Sequence, residues 1–217
     1  MRIEIGRKIE KYIKGKVNHL FINKDDFTII ANNCWGTFIY KKYGLSYGSP
    51  FVNLMLFAPD YIDFLENFSF ELLEKLEFID QKNSKHIDEL QRLGIFNGSY
   101  PVGILDGKYE LHFLHYESEA DARDKWFRRL KRINRNRIIF KFSDGDKFED
   151  SMAARFEALP FKNKVLFTAK EYSGIKSVIA LEKFKGTPRV HDEWKNSSHE
   201  FNITKFINTM HENENIK

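Results

Sequence analysis

Residues 137–168 have the sequence RIIFKFSDGDKFEDSMAARFEALPFKNKVLFT. The apolar run Arg137–Phe142 is typical of a buried strand, and Lys164–Thr168 has the same character. Between them, the spacing of apolar residues from about Phe148 to Leu159 predicts a helix. Strand, helix and strand within roughly thirty residues indicate a right-handed βαβ crossover with two parallel strands.

The neighbouring segments extend this pattern into an α/β fold. Phe27–Ala31 is a further β-rich run, and Ser177–Phe184 has the composition of another strand. An Asp-Gly pair at 106–107 separates the β-rich runs 102–105 and 109–116, which predicts a hairpin. We therefore expect a mostly parallel sheet with flanking helices, a Rossmann-like three-layer arrangement, in which the hairpin supplies antiparallel edge strands.

Two serines have the pattern of helix N-caps. Ser49 precedes a proline, which predicts a helix over Pro50–Phe57. Ser118 stands three residues before Asp121, which predicts a longer helix that ends near Ile133.

The chain divides into three parts in this interpretation: an amphipathic N-terminal helix and lead-in over residues 1–26, a single α/β domain over 27–184, and an extension over 185–217 with a terminal helix. Residues 1–16 contain six basic and two acidic side chains, and apolar residues recur at helical spacing from Ile5 to Val17. Two alternatives follow for this helix. Its apolar face packs on the body of the protein, or the helix lies on an anionic membrane surface.

Composition excludes several classes of protein. With 42% hydrophobic and 30% charged residues in a chain of 217, we expect neither a disordered nor a fibrous protein. The apolar runs are too short to span a bilayer, and Met1–Lys16 lacks the apolar core of a secretory signal. A single cysteine, Cys34, excludes an intrachain disulfide and argues against a cysteine-based zinc site. We therefore expect a cytoplasmic protein.

Positive charge is concentrated in one stripe. Residues 123–137 contain eight basic side chains and one acid, whereas the whole chain has a net charge of +4, so the remainder is slightly acidic. The stripe is interpreted in three ways: as the solvated face of a helix, as a site for the phosphates of a nucleotide-sugar or lipid-linked donor, or as a contact with an anionic membrane. Nucleic acid is not expected, because Trp126 and Phe127 are assigned to packing.

Ligands of open α/β sheets bind beyond the carboxyl ends of the strands. That rule selects Asn32–Gly36, Ser143–Asp146 and Thr168–Tyr172. Asp144 and Asp146 offer the oxygen ligands that magnesium or manganese prefers, and such a cation would bridge the phosphates of a nucleotide-sugar. An ordinary turn or helix cap is the alternative for both aspartates.

Three further side chains are candidates for catalysis. Cys34 precedes a predicted helix, where backbone N–H groups favour a thiolate or an anion; a small buried packing residue is the alternative. His112 and His115 lie three apart on a predicted strand and so face opposite ways. Either histidine could act as a general base near neutral pH, with the other structural.

Several segments together resemble a bacterial family of exopolysaccharide-biosynthesis-type proteins with a domain of unknown function (DUF1919-like). The matching segments occur in order over about residues 27–170: Ile30–Gly36, Gly44-Leu45, Ser49–Leu54, Tyr100–Gly103, His112–Tyr116 and Lys125–Asn134. The resemblance implies a role near surface or capsular polysaccharide assembly without naming a reaction. It singles out Asn33, Cys34, Gly36, Ser49, Pro50, Asn53, His112, His115, Tyr116, Trp126, Arg129 and Asn134.

The leading hypothesis is an enzyme that transfers or modifies a sugar during polysaccharide assembly, acting on a saccharide or sugar-phosphate. Its catalytic candidates are His115, His112, Asp144 and Cys34, with Asp144 and Asp146 as metal ligands. Its substrate-binding candidates are Asn33, Gly36, Ser49, Asn53, Tyr116 and Arg129, the last because arginine grips phosphate through a bidentate fork. One alternative is a non-enzymatic carbohydrate-binding or assembly module that uses Trp35, Tyr47 and Asn53. Another is a Cys34-dependent acyl transferase or hydrolase.

Overall fold

The structure is a computed structural model that describes residue 10 and residues 13–212. Residues 13–19 are helical and precede the first strand. The strands are β1 (Thr28–Ala31), β2 (Leu76–Ile79), β3 (Val102–Leu105), β4 (Tyr109–His112), β5 (Ile138–Ser143), β6 (Lys164–Thr168) and β7 (Val178–Ala180). The α-helices that follow are α1 (Trp35–Lys42), α2 (Ala58–Glu66), α3 (Ile87–Arg92), α4 (Glu119–Leu130), α5 (Asp150–Ala158), α6 (Glu193–Asn196) and α7 (Ile203–Asn208). Short 3-10 helices occur at Glu71–Glu74, Gln81–Asn83 and Glu182–Phe184.

Four strands form a parallel sheet in the order β1-β5-β6-β7. In its register Ile30 lies opposite Phe140, and Phe142 lies opposite Leu166. The β5–α5–β6 unit is the one predicted from residues 137–168, and the α/β fold is confirmed.

Both faces of this sheet are buried, which gives three layers. Alternate residues of β5 point to opposite sides, so that Phe140 and Phe142 join one core while Ile139 joins the other. Helices α2, α4 and α5 cover the first face, and α1 and α7 cover the second. This is why the strands have near-continuous apolar sequences in place of alternation.

The hairpin forms as predicted but in a different place. The turn residues Asp106 and Gly107 both have positive φ, 51° and 66°, which suits a tight hairpin turn. The hairpin does not extend the parallel sheet. Strands β3 and β4 join β2 in a separate antiparallel sheet in the order β2-β3-β4, whose apolar face packs on α2.

Of the two predicted N-caps, one is confirmed and one is wrong. The Ser118 hydroxyl accepts a hydrogen bond from the Asp121 backbone N–H at 3.1 Å and starts α4. No helix follows Ser49; its hydroxyl is buried, donates to the Ile29 carbonyl at 2.5 Å and accepts from the Phe51 N–H. Residues 51–57 are non-helical, and α2 begins only at Ala58.

The described C-terminal helix packs on the central domain. Ile203 and Ile207 of α7 enter the same core as β1 and β6, so the extension over 185–217 is not separate from the sheet in its described part. Residues 1–9 of the predicted N-terminal helix lie outside the described residues. Where the chain is described, none of its helices combines the length and apolar character that crossing a membrane requires.

Candidate functional site

The carboxyl edge of the parallel sheet brings the predicted polar segments together. Asn33 follows β1, and Ser143 is the last residue of β5. The Asn33 side-chain N–H donates to the Ser143 hydroxyl at 3.2 Å. The topology therefore places these two segments side by side, as the switch-point rule predicts.

A buried lysine organises this edge. Lys141 of β5 has no exposed surface, and its ammonium donates to Asn33 Oδ1 at 2.9 Å, to Ser143 Oγ at 3.0 Å and to Glu193 Oε1 at 2.9 Å. An ammonium has three donors, and all three are used by the protein. The network therefore fixes α6 to the sheet and keeps no donor for a ligand.

The charges of this network are strongly coupled. Burial by itself would raise the pKa of Glu193, but the ammonium of Lys141 outweighs burial and lowers that pKa to about 2. The pKa of Lys141 is lowered, because its burial outweighs its attraction to Glu193. Glu193 is therefore ionised at neutral pH, whereas keeping Lys141 charged in the interior costs free energy of folding.

The two predicted metal ligands already have protein partners. The carboxylate of Asp144 accepts from the Ala169 N–H at 2.6 Å and the Val190 N–H at 2.8 Å, and burial raises its pKa. Asp146 pairs with Arg189 at 2.5 Å. Among the described residues no group of three metal-ligating side chains comes together, so this geometry adds no support for magnesium or manganese.

Cys34 lies immediately before α1, as expected, but its environment disfavours a thiolate. Burial raises the pKa of the thiol, and nearby Lys141 and Lys41 only partly oppose this effect. The thiol donates to the Leu54 carbonyl at 3.8 Å.

Three predicted substrate-binding residues have structural contacts. Gly36 is buried where a Cβ atom would lie 3.0 Å from Ile29 Cγ2. Ser49 bonds to backbone, as described above. Asn53 has a positive φ of 61°, and its N–H donates to the Thr37 hydroxyl at 3.0 Å.

Tyr116 and Arg129 form a buried pair of their own. Arg129, 6% exposed, donates from Nη1 to the Tyr116 hydroxyl at 2.5 Å, and that hydroxyl donates to the Val52 carbonyl. The guanidinium also lies 5.1 Å from the centre of the Tyr47 ring. Arg129 therefore differs from most of the basic stripe, since it faces into the protein.

The two histidines of the resemblance have different environments. His112 ends β4 and is completely buried, whereas His115 is exposed in the turn that follows. The strand is thus shorter than predicted. Burial lowers the pKa of His112 to about 3, with His86 adding to the effect and Asp60 opposing it. His112 is therefore neutral at physiological pH.

Beside His112 lies a second buried cluster that the sequence did not reveal. Asp60, in the first turn of α2, and His86, immediately before α3, are joined by a 2.8 Å contact between Oδ2 and Nε2. Asp60 also pairs with the Lys85 ammonium and accepts from the Glu110 N–H at 3.2 Å. These contacts fix the carboxylate, and the carboxylate fixes the imidazole.

The other imidazole nitrogen contacts a lysine. His86 Nδ1 lies 3.4 Å from the ammonium of Lys147, an exposed residue with a positive φ of 69°. The His86 ring also packs at 4.3 Å from the ring of Phe57. One nitrogen of His86 is thus bound to a buried acid, and the other lies under a surface cation.

Polar atoms without partners are concentrated next to this pair. Both ring nitrogens of His112, the Tyr100 hydroxyl and Gln81 Nε2 are buried and have no hydrogen-bond partner. They are four of the six such side-chain atoms in the described part of the chain. The Tyr100 and His112 ring centres are 6.0 Å apart, and the Gln81 side chain is near enough to lower the pKa of Tyr100, which burial raises. Buried polar groups nearly always have partners, so this cluster is expected to hold water or a polar ligand.

Sequence reasoning missed Asp60, His86 and Lys147 for physical reasons. An acid in the first turn of a helix is the ordinary choice there, so Asp60 looks like a helix-end residue. His86 lies in a polar stretch without periodicity.

Two cavities lie away from this cluster. One, of about 250 Å³, lies beyond the carboxyl ends of β6 and β7, between Ala169 and Leu181. The other, of about 240 Å³, lies between α1, α6 and α7 and is lined by Trp35, Trp194 and Phe201.

Fold and site together define an α/β protein of Rossmann-like arrangement, with a second antiparallel sheet and a buried Asp–His pair. The family described as "Domain of unknown function (DUF1919)" matches residues 5–216, and the chain belongs to that family. It is also 34% identical over 191 residues to an uncharacterized protein of Haemophilus influenzae, covering 83% of this chain and 85% of that relative.

Proposed function

We propose that this DUF1919 protein is an enzyme that transfers a group to a saccharide hydroxyl, with His86 as its general base. The observation behind this proposal is the buried Asp60–His86 hydrogen bond, with the second imidazole nitrogen directed at an exposed cation. An imidazole that donates through Nε2 to a carboxylate keeps a lone pair on Nδ1. A carboxylate that orients a histidine in this way is a recurrent part of general-base sites.

The chemistry follows from that orientation. The Lys147 ammonium, 3.4 Å from Nδ1 of His86, first moves to the donor's leaving group and frees that nitrogen. The acceptor hydroxyl then transfers its proton to Nδ1 while its oxygen bonds to the electrophilic atom of the donor. The donor's leaving group departs with the electron pair of the broken bond. Asp60 stabilises the resulting imidazolium, and Lys147 binds the anionic leaving group, for which a phosphate is the natural partner.

The saccharide acceptor and the role in surface or capsular polysaccharide assembly rest on the resemblance described above. A nucleotide-sugar would meet the requirement for a phosphate leaving group. A cytoplasmic location is part of the proposal, because a single cysteine fits a reducing compartment.

The test is a product screen with activated donors. Purified protein is incubated with nucleotide-sugars and acyl thioesters, each with mono- and oligosaccharide acceptors and with or without manganese, and products are detected by mass spectrometry. We expect His86→Gln to lower the rate by about 10² or more, the usual contribution of a general base. His199→Gln, at an exposed histidine in the C-terminal part of the chain, is the matched control and should keep the wild-type rate. An active, folded His86→Gln variant would remove His86 from the mechanism.

A second candidate function is non-catalytic saccharide binding in the cavity between α1, α6 and α7. Its walls combine the rings of Trp35, Trp194 and Phe201 with hydroxyl and amide groups, among them that of Asn202, and Trp194 stacks on Phe38 at 3.8 Å. Aromatic faces and amides suit sugar rings. Calorimetric titration with oligosaccharides distinguishes the two candidate functions. If the protein is a binding module, we expect Trp194→Ala to abolish saccharide binding and His86→Gln to leave it unchanged.

A further inference from the structure

The helical segment 13–19 packs on the body of the protein through small and polar residues. Gly15 is buried against Gly44, where a Cβ atom on Gly15 would lie 3.1 Å from Gly44 Cα. Asn18 donates from its side chain to the Lys42 carbonyl at 2.8 Å. The side of the helix that faces the protein is thus not its apolar side.

The apolar side faces outward. The large hydrophobic residues that are exposed in the described part of the chain lie in this helix and in the turn that follows it: Ile13 (56%), Val17 (49%), Leu20 (83%) and Phe21 (63%). Successive helical residues rotate by about 100°, so Ile13 and Val17 share one face, opposite Gly15; Leu20 and Phe21 follow in the turn after the helix. A surface helix normally presents this stripe to the core.

Lysines lie on both flanks of this apolar face. By the same rotation, Lys14 and Lys16 fall on either side of it, and both are exposed. Lys41 and Lys42, at the end of α1, are exposed beside the Asn18 contact. Long cationic side chains beside an apolar stripe can reach lipid head groups while the stripe enters the acyl boundary.

Among the described residues near this face, acidic side chains do not reverse this charge. Glu10 is exposed one turn before Ile13, and Asp25 is paired with His19 at 3.1 Å. The surface around the stripe therefore has an excess of positive charge, and it complements an anionic surface better than a neutral one.

We propose that the face formed by Ile13, Val17, Leu20 and Phe21, with its flanking lysines, docks on an anionic lipid bilayer, with the helix in the plane of the membrane. The packed-helix alternative of the sequence analysis does not describe Ile13 and Val17, because both are exposed. This proposal does not depend on the catalytic role of His86.

The test is vesicle flotation of the full chain with phosphatidylcholine vesicles and with vesicles that also contain phosphatidylglycerol. We expect binding to the anionic vesicles, weak binding to the neutral ones, and a decrease with added salt. The double variant Val17→Glu/Leu20→Glu should bind at least about tenfold more weakly, since burying one large apolar side chain is worth that factor or more.

Lys108→Glu is the matched control, because it changes the net charge by the same two units at an exposed hairpin position. It should float like the wild type, and melting temperatures should agree for all three proteins. The proposal is overturned if the wild type binds neither vesicle or if the double variant binds as well as the control. It is also overturned if sedimentation shows a dimer that the double variant abolishes while vesicle binding is absent, since the face would then join two copies of the chain.

Discussion

Replacing Glu193 by glutamine tests whether the Lys141 network stabilises the fold. Glu193 has 4% of its side chain exposed and a pKa of about 2, against an ordinary value of 4.5. That difference corresponds to about 3 kcal/mol of stabilisation at neutral pH. Removing one partner of a buried ion pair costs about 3–5 kcal/mol in other proteins. We therefore expect Glu193→Gln to lower the free energy of unfolding by about 3 kcal/mol.

Removing both charges of the pair should cost less stability than the two single substitutions together. The lowered pKa of Lys141 means that its burial in charged form opposes folding, so the pair as a whole stabilises less than Glu193 alone indicates. The double variant Lys141→Met/Glu193→Leu removes both charges from the apolar layer. We expect it to lose less stability than the sum of Lys141→Met and Glu193→Leu, with a coupling of about 2 kcal/mol.

Urea unfolding followed by circular dichroism measures these differences in the free energy of unfolding. Repeating it at several pH values tests the direction in which the contribution of Glu193 changes with pH. Because the folded-state pKa of Glu193 lies below its unfolded value, its contribution is present above pH 4.5 and is lost as the pH falls toward 2. Glu182→Gln is the control; Glu182 pairs with Lys185 at the surface, with 75% of each side chain exposed, and should matter by less than about 0.5 kcal/mol. A Glu193→Gln variant as stable as this control, or strictly additive single substitutions, would refute the reasoning.

Two further predictions concern the antiparallel layer. The pKa of His112 is about 3 in the folded protein and 6.5 in the unfolded chain, so the free energy of unfolding should fall as the pH is lowered from 6.5 toward 3. His112→Phe should reduce the slope of this free energy against pH by about 1.4 kcal/mol per pH unit between pH 4 and 6. An unchanged slope in urea titrations would contradict this prediction. Gly103→Ala would place a Cβ atom 2.7 Å from Phe113 and 2.8 Å from Leu76, and should cost about 1–3 kcal/mol. Gly145→Ala is its comparison by thermal melting, because the φ of Gly145 is not positive and an added Cβ atom would meet nothing nearer than 3.8 Å; an equal loss of stability there would contradict overpacking as the cause.

Local patterns predicted the elements whose cause is local. The β5–α5–β6 unit follows from apolar runs that both faces of the sheet bury, and the hairpin turn follows from an Asp-Gly pair with positive φ. Ser49 shows the limit of this approach. Its hydroxyl satisfies the Ile29 carbonyl, a contact between segments twenty residues apart, and a Ser-Pro pair alone cannot distinguish this role from an N-cap.

The candidate site was predictable only where topology determines it. Asn33 and Ser143 meet because parallel strands end at one edge, a rule that needs only the strand order. Lys141 was hidden because a single lysine in a strand looks like a residue at the solvent edge. Asp60 and His86 meet only because α2 packs on the antiparallel sheet, and no sequence pattern encodes that contact.

The Lys141 network and the Asp60–His86 cluster differ in how fully the protein satisfies their hydrogen-bonding groups, and this difference suggests different roles. Lys141 uses all three of its donors on protein atoms, so a ligand could bind it only by breaking existing bonds. His112 and Tyr100 are also buried but have polar atoms without hydrogen-bond partners. His86 beside them contacts Asp60 through Nε2 and the exposed Lys147 through Nδ1, and only the second partner lies on an exposed side chain that can move away. A protein gains no stability from unpaired buried groups, which cost about 1–3 kcal/mol each. That cost is understandable if a ligand or water completes these bonds during function, and this is why we assign chemistry to the Asp60–His86 cluster and structure to the Lys141 network.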